Sequence, residues 1–144
     1  MHHREFVKQL NEKSVTAAIG RAESKSSAQV RVFVSHHQVD NALKEAQRHF
    51  HELGMEKTLD RNAVLIFIAP SSRKFAIFGD VAIDEKCGTT FWEAVRDEIV
   101  PHLKAGKFTE AIVHAVNRVG EKLAEHFPAD GPHSNELPDT IARD

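Results

Sequence analysis

The chain has 144 residues, 41% of them hydrophobic and 28% charged, with a formal net charge of -2 when histidine is neutral. That length supports one domain burying about two-thirds of the surface its unfolded form exposes, and the balance excludes disordered and fibrous classes. Basic residues alternate with acidic ones, leaving no nucleic-acid footprint, and no apolar run approaches the roughly 20 residues that span a bilayer.

The opening "MHHREFVKQLNEK" lacks the apolar core of a signal peptide, and His2 and His3 are too few for an affinity tag. A first helical segment, in two pieces, has Asn11 as an N-cap and Val15, Ala18, Ile19 and Ala22 at helical spacing. "SKSS" (24–27) breaks it. "AQVRVFVS" follows as a strand with Val30, Val32 and Val34 on one face and Phe33 on the other, so both faces are expected to be covered. Asp40 is the next expected N-cap, opening a helix whose stripe is Leu43, Ala46, Phe50 and Leu53 and which Gly54 closes. "AVLIFIAP" (63–70) is apolar on both faces, as a central strand requires. Pro70-Ser71-Ser72-Arg73 turns the chain and "KFAIFG" returns it as an antiparallel hairpin, too short a link for a parallel crossover.

Thr90 and Glu93 form a capping box before a helix with Phe91, Val95 and Ile99 inward, which Pro101 kinks or ends. After Gly106, Phe108, Ile112, Ala115, Val116, Val119 and Leu123 form the buried stripe of a last helix, and Pro128 marks its end. The order predicts a three-layer α/β/α sandwich around a small mixed sheet, a parallel crossover pair plus one antiparallel strand. The domain is expected over 1–128, with a polar, mobile tail over 129–144.

The hairpin register brings polar residues together. Counting back from Ser71-Ser72 pairs Phe78 with Leu65, Gly79 with Val64 and Asp80 with Ala63. One end of the sheet then collects Gln29, Asp60, Asn62, Asp80 and Asp84, with Glu85 close by. Such oxygens suit a hard cation, Ca²⁺ above all, which takes about six to eight oxygen ligands. The alternative from spacing alone is an Asp80–Arg61 ion pair with Asp84 capping the next helix, contacts of a kind worth about 0–1 kcal/mol at a surface.

The opposite end carries His36, His37, Pro70 and Arg73, where open α/β sheets commonly bind ligands. Adjacent histidines on a strand point to opposite faces, so this pair is expected to chelate poorly. His49 and His51 stand about 200° apart on their helix, and His114 and His126 more than three turns apart. Cys87 lacks the downstream arginine of a thiolate phosphatase, since Glu93 stands there. There is no phosphate-cradling Gly-rich loop and no Gly-x-Ser-x-Gly elbow. Near a helix start, Cys87 could be mildly acidic, but an inert thiol is the plainer reading.

The segments "AIGRAESKSSAQVRVFVS", "FHELGMEKTLDRNAVLIFIAPSSRKFAIFGDVAID" and "FWEAVRDEIVPHLKAGKFTEAIVHAVNRVGEKLAEHFP" closely resemble the TPM-domain family, in its small branch without signal or anchor, from about Ile19 to Pro128. The resemblance implies an α/β/α sandwich and divalent-cation binding, calcium in particular, at Asp60, Asn62, Asp80 and Asp84. It also implies acid phosphatase activity, the label the family often carries. Two positions depart from the family pattern: Ser27-Ala28-Gln29 stands for Ser/Thr-Gly-Glu, and Ala63 for a glycine. Gln29 lacks the charge, and Ala63 adopts positive φ only at a cost, so both are expected to weaken cation binding. The expected role is a cytoplasmic, calcium-responsive interaction module with a protein partner, the single cysteine fitting a reducing compartment. The alternative is a metal-assisted phosphomonoesterase.

Overall fold

Two parallel strands joined through a helix frame the molecule. The computed structural model describes Lys8 and residues 10–58, 60–129 and 141–144. The expected helical piece before Asn11 falls mostly outside these residues. Helix α1 (Glu12–Ser24) is capped by Asn11, whose side chain accepts the Ser14 N–H at 3.1 Å. Strand β1 (Gln29–Val34) leads to helix α2 (Ala42–Glu52), then β2 (Ala63–Ala69), β3 (Lys74–Gly79), α3 (Val81–Lys104) and α4 (Phe108–His126).

β1 and β2 run parallel, with Gln29 opposite Ala63 and Val34 opposite Ile68. β2 and β3 run antiparallel with Leu65 opposite Phe78 and Val64 opposite Gly79, the register counted from the turn. A short strand β4 (Ala142–Arg143) pairs in parallel with β1, so the sheet has four strands in the order β3-β2-β1-β4. Residues 130–140 of the expected tail lie outside the described residues; after them, Ala142 and Arg143 pair beside Phe33 and Val34. Arg143 also pairs with Glu12 of α1.

Alternation within the strands builds two cores, which is why three layers form. Val30, Val32, Val34, Val64, Ile66, Ile68 and Ile77 pack against α1, α3 and α4. Phe33, Leu65, Phe67, Ala69 and Ala76 pack against Ala46 and Phe50 of α2. All seven β2 residues are buried, as two covered faces demand. The expected stripe of α4 is buried at every position.

Three local expectations shift. Asn41, not Asp40, caps α2, accepting the Lys44 N–H at 3.1 Å; either residue type caps well, so neighbouring candidates look alike in sequence. Leu43 is 55% exposed, while His49, on a different flank of the helix, is buried and stacked on Phe33 with ring centroids 4.1 Å apart. Helix α3 starts at Val81, well before the Thr90 box, because Asp80 caps it directly at the end of β3. The helix is interrupted at Gly88, where φ is 75° and ψ 166°, so α3 consists of two helical pieces and the second begins close to the expected Thr90 box. Pro101 lies inside the final turns rather than ending the helix, which runs to Lys104.

Candidate metal centre

The oxygen-rich edge is assembled by the hairpin. The Asp80 N–H donates to the Ala63 carbonyl at 3.0 Å, extending the β3–β2 ladder by one residue, and the chain then turns into α3. Asp80 is 4% exposed and does two jobs. Its Oδ1 accepts the Val81 N–H at 2.8 Å, capping α3. Its two oxygens also accept a bidentate pair from Arg61, Nε to Oδ2 at 2.7 Å and Nη2 to Oδ1 at 2.8 Å. Arg61 is the residue in left-handed conformation here, with φ 52°. Ala63 is regular strand, so its missing glycine leaves no strain at that position.

Asn62 is fully buried. Its amide nitrogen donates to Ser27 Oγ at 3.2 Å, joining the two strand entrances. Its Oδ1 has no hydrogen-bond partner among the described residues. An oxygen in that condition costs about 1–3 kcal/mol unless something satisfies it. Asp60 and Asp84 are exposed nearby in the chain. Burial, and then the Asp80 charge, push the Asp84 carboxyl above its ordinary value. The three aspartates do not gather into one compact set of ligand atoms among the described residues; Arg61 holds Asp80 instead. The donors fit a hard cation by type, while the present geometry gives Asp80 to a guanidinium.

Sequence reasoning missed Glu23. It is buried, and its Oε2 accepts the Val30 N–H at 2.9 Å, tying α1 to the start of β1. Its signal was a carboxylate directly following Ala22 of the buried stripe. The histidine pair was also misjudged. β1 ends at Val34, so the strand rule for opposite faces does not reach His36 and His37, whose ring centroids are 3.9 Å apart. Elsewhere, Glu98 accepts from Arg118 and lies 2.7 Å from His114 Nε2, contacts that hold its carboxyl below the usual range. Burial pushes the Cys87 thiol up, against the mild acidity considered from its helix position, and leaves it a poor nucleophile.

A family model for the TPM domain matches residues 2–122. The solution structure of the BA42 protein from the psychrophilic bacterium Bizionia argentinensis is similar over 94% of this chain and 96% of that one, at 32% identity and a TM-score of 0.86. The N-terminal domain of a protein from P. gingivalis shares the fold at 17% identity, covering 80% of this chain and 76% of that one, with a TM-score of 0.61. No curated protein matches. No helix among the described residues is long and apolar enough to cross a membrane. With the matched residues spanning most of its length and a relative of 32% identity covering nearly all of it, the chain belongs to the TPM domain family.

Proposed function

We propose that this protein is a cation-responsive accessory module, in which Asp60, Asn62, Asp80 and Asp84 bind a hard divalent ion such as Ca²⁺ by displacing Arg61. The observation that carries this reading is the buried Asn62 Oδ1 with no hydrogen-bond partner among the described residues, one position from the pairing partner of Asp80. Arg61 acts as an internal stand-in for the ion. It is 47% exposed on its side-chain surface and can swing into water, whereas Asp80 cannot move without uncapping α3. Ion binding would then release a guanidinium at the surface, a signal that an acidic protein partner in the cytoplasm could read.

The test is a thermal melt of chelator-stripped protein against Ca²⁺, with Mg²⁺ and Mn²⁺ in parallel. An ion at 100 times its Kd stabilises by about 2.7 kcal/mol. Arg61→Gln should tighten binding by removing the competitor, and the exposed Asp84→Asn should weaken it. A wild-type melt indifferent to all three ions would end this reading.

The second reading, metal-assisted phosphomonoester hydrolysis, draws support from the half-exposed Arg61 beside those carboxylates, since a guanidinium can steady a phosphate while an ion activates water. A saturable hydrolysis rate abolished by Asp80→Ala would favour it; an equal rate in that variant would dismiss it.

A further inference from the structure

The end of the sheet opposite Arg61 carries a different set of ligands. β4 lies beside Phe33 and Val34, which delivers Asp144 to the residues that follow β1. Its carboxylate is held from several sides. Ser35 Oγ donates to Oδ2, the His36 N–H donates to Oδ1 at 2.9 Å, and His36 Nδ1 lies 2.6 Å from Oδ1. His37 Nε2 lies 3.9 Å from Oδ2. Ser35 is itself buried and anchored by its N–H to the Ile68 carbonyl at 2.8 Å, so the platform under the carboxylate is part of the sheet. Burial alone would raise the Asp144 carboxyl, but the hydrogen bonds from Ser35 and His36 outweigh it and hold the group below its ordinary value.

One ligand atom from each of His36, His37 and Asp144 lies within 4.8 Å of the other two. In a tetrahedral site with metal–nitrogen bonds of about 2.0–2.1 Å, ligand atoms stand roughly 3.3 Å apart. The 2.6 Å contact is to Oδ1 and the 3.9 Å contact to Oδ2, so the exposed imidazoles must rotate to bring both nitrogens to the spacing of one carboxylate oxygen, starting from atoms already within 4.8 Å. The side chains of both histidines are about half exposed or more, while that of Asp144 is 12% exposed. An ion can therefore enter from solvent onto a fixed carboxylate.

We propose that His36, His37 and Asp144 form a binding site for a divalent transition ion of the zinc class, separate from the oxygen-rich edge. The donor set decides the class. Two imidazole nitrogens with one carboxylate suit zinc, cobalt, nickel or copper, whereas calcium prefers many oxygens. The ion replaces the proton between His36 Nδ1 and Asp144, and a water completes the fourth position. Because its ligands come from the residue after β4 and from the segment after β1, the ion also ties these two segments together.

The experiment is calorimetric titration of the chelator-stripped full chain with Zn²⁺, repeated with Co²⁺ followed by its visible absorption. One tight equivalent and the intense bands of four-coordinate cobalt are expected. Changes to residues that merely support metal ligands cost about 10–100-fold in affinity, so His37→Ala and Asp144→Ala should each weaken binding at least tenfold. Asp80→Ala and His114→Ala should leave it intact, and excess Ca²⁺ should not displace the cobalt spectrum. Equal titrations for wild type and His37→Ala would overturn the proposal by assigning the ion to other histidines, as would no binding at all. His37 is 61% exposed on its side-chain surface, so its removal does not threaten folding.

Discussion

The two ends of the sheet differ in how their polar residues arrive. At the strand entrances, Asp80 reaches Arg61 across a hairpin, a separation of 19 residues. At the carboxyl end, Asp144 reaches His36 from 108 residues away, by way of β4. The first end offers oxygens and satisfies its central carboxylate with an internal guanidinium; the second offers imidazoles around a carboxylate fixed by serine and backbone. A sheet edge closed by a local hairpin carries its own counter-charge. One closed by a returning tail brings together side chains whose positions depend on that return.

Variants can break this contrast. The largest effect is expected at Gly79, which ends β3 just before Asp80. A Cβ there would stand 2.5 Å from Ile83 Cγ2 and 2.8 Å from its Cβ. Overpacking of this kind costs about 1–3 kcal/mol, so Gly79→Ala should lower the urea midpoint and weaken the calcium response while sparing zinc. An unchanged midpoint would mean that the first turn of α3 shifts freely.

Asp80→Ala comes next. Loss of an N-cap costs about 1 kcal/mol, with the Arg61 pair lost as well. Asp80→Asn retains a capping oxygen but turns an amide NH2 toward an Arg61 donor, so it should fall between wild type and Asp80→Ala in a melt and lose most of the proposed calcium response. Equal destabilisation by both substitutions would show that charge, rather than capping, dominates at this position.

Acid should act on the imidazoles before the carboxylates. Burial, then the charge of Arg48, lower the His49 pKa from its ordinary 6.5. Its contribution is complete above 6.5 and is lost as pH falls from there through the depressed folded value, because the unfolded chain takes up the proton more readily. Asp144 has a folded value below 3.8, so its contribution persists until pH falls below about 3.8. Urea midpoints between about pH 8 and pH 5 should decline, and His49→Gln should flatten the decline. A wild-type midpoint level across that range would refute the assignment to His49.

The smallest effect is expected from Leu43→Gln on the exposed side of α2, within about 0.5 kcal/mol of wild type. A larger loss would mean that Leu43 covers the core despite its exposure.

Much of the fold is legible in the sequence because its signals are local and periodic. Val30, Val32 and Val34 alternate against Phe33, β2 is apolar throughout, and a four-residue turn dictates the register that brings Asp80 to Ala63. From that register alone, Asp60, Asn62, Asp80 and Asp84 fall at one edge. Sequence could not decide whether Asp80 faces an ion or Arg61, because that depends on the left-handed turn at Arg61 and on the exact start of α3. The Thr90 box marks the helical piece after Gly88, while the short piece that Asp80 caps before Gly88 carried no comparable periodic signal.

What the sequence by itself determined is therefore the layered architecture and the pairing of β1, β2 and β3, consequences of period-two and period-3.6 patterns and a short link. Tertiary structure alone decided that β4 pairs with β1, that the rings of His36 and His37 lie side by side beyond the strand, and that Asp144 joins them. The physical reason is that a two-residue strand carries too little pattern to be recognised. Its place is set by pairing with β1 and by the Arg143–Glu12 pair, contacts with residues far away in the chain that no local pattern announces.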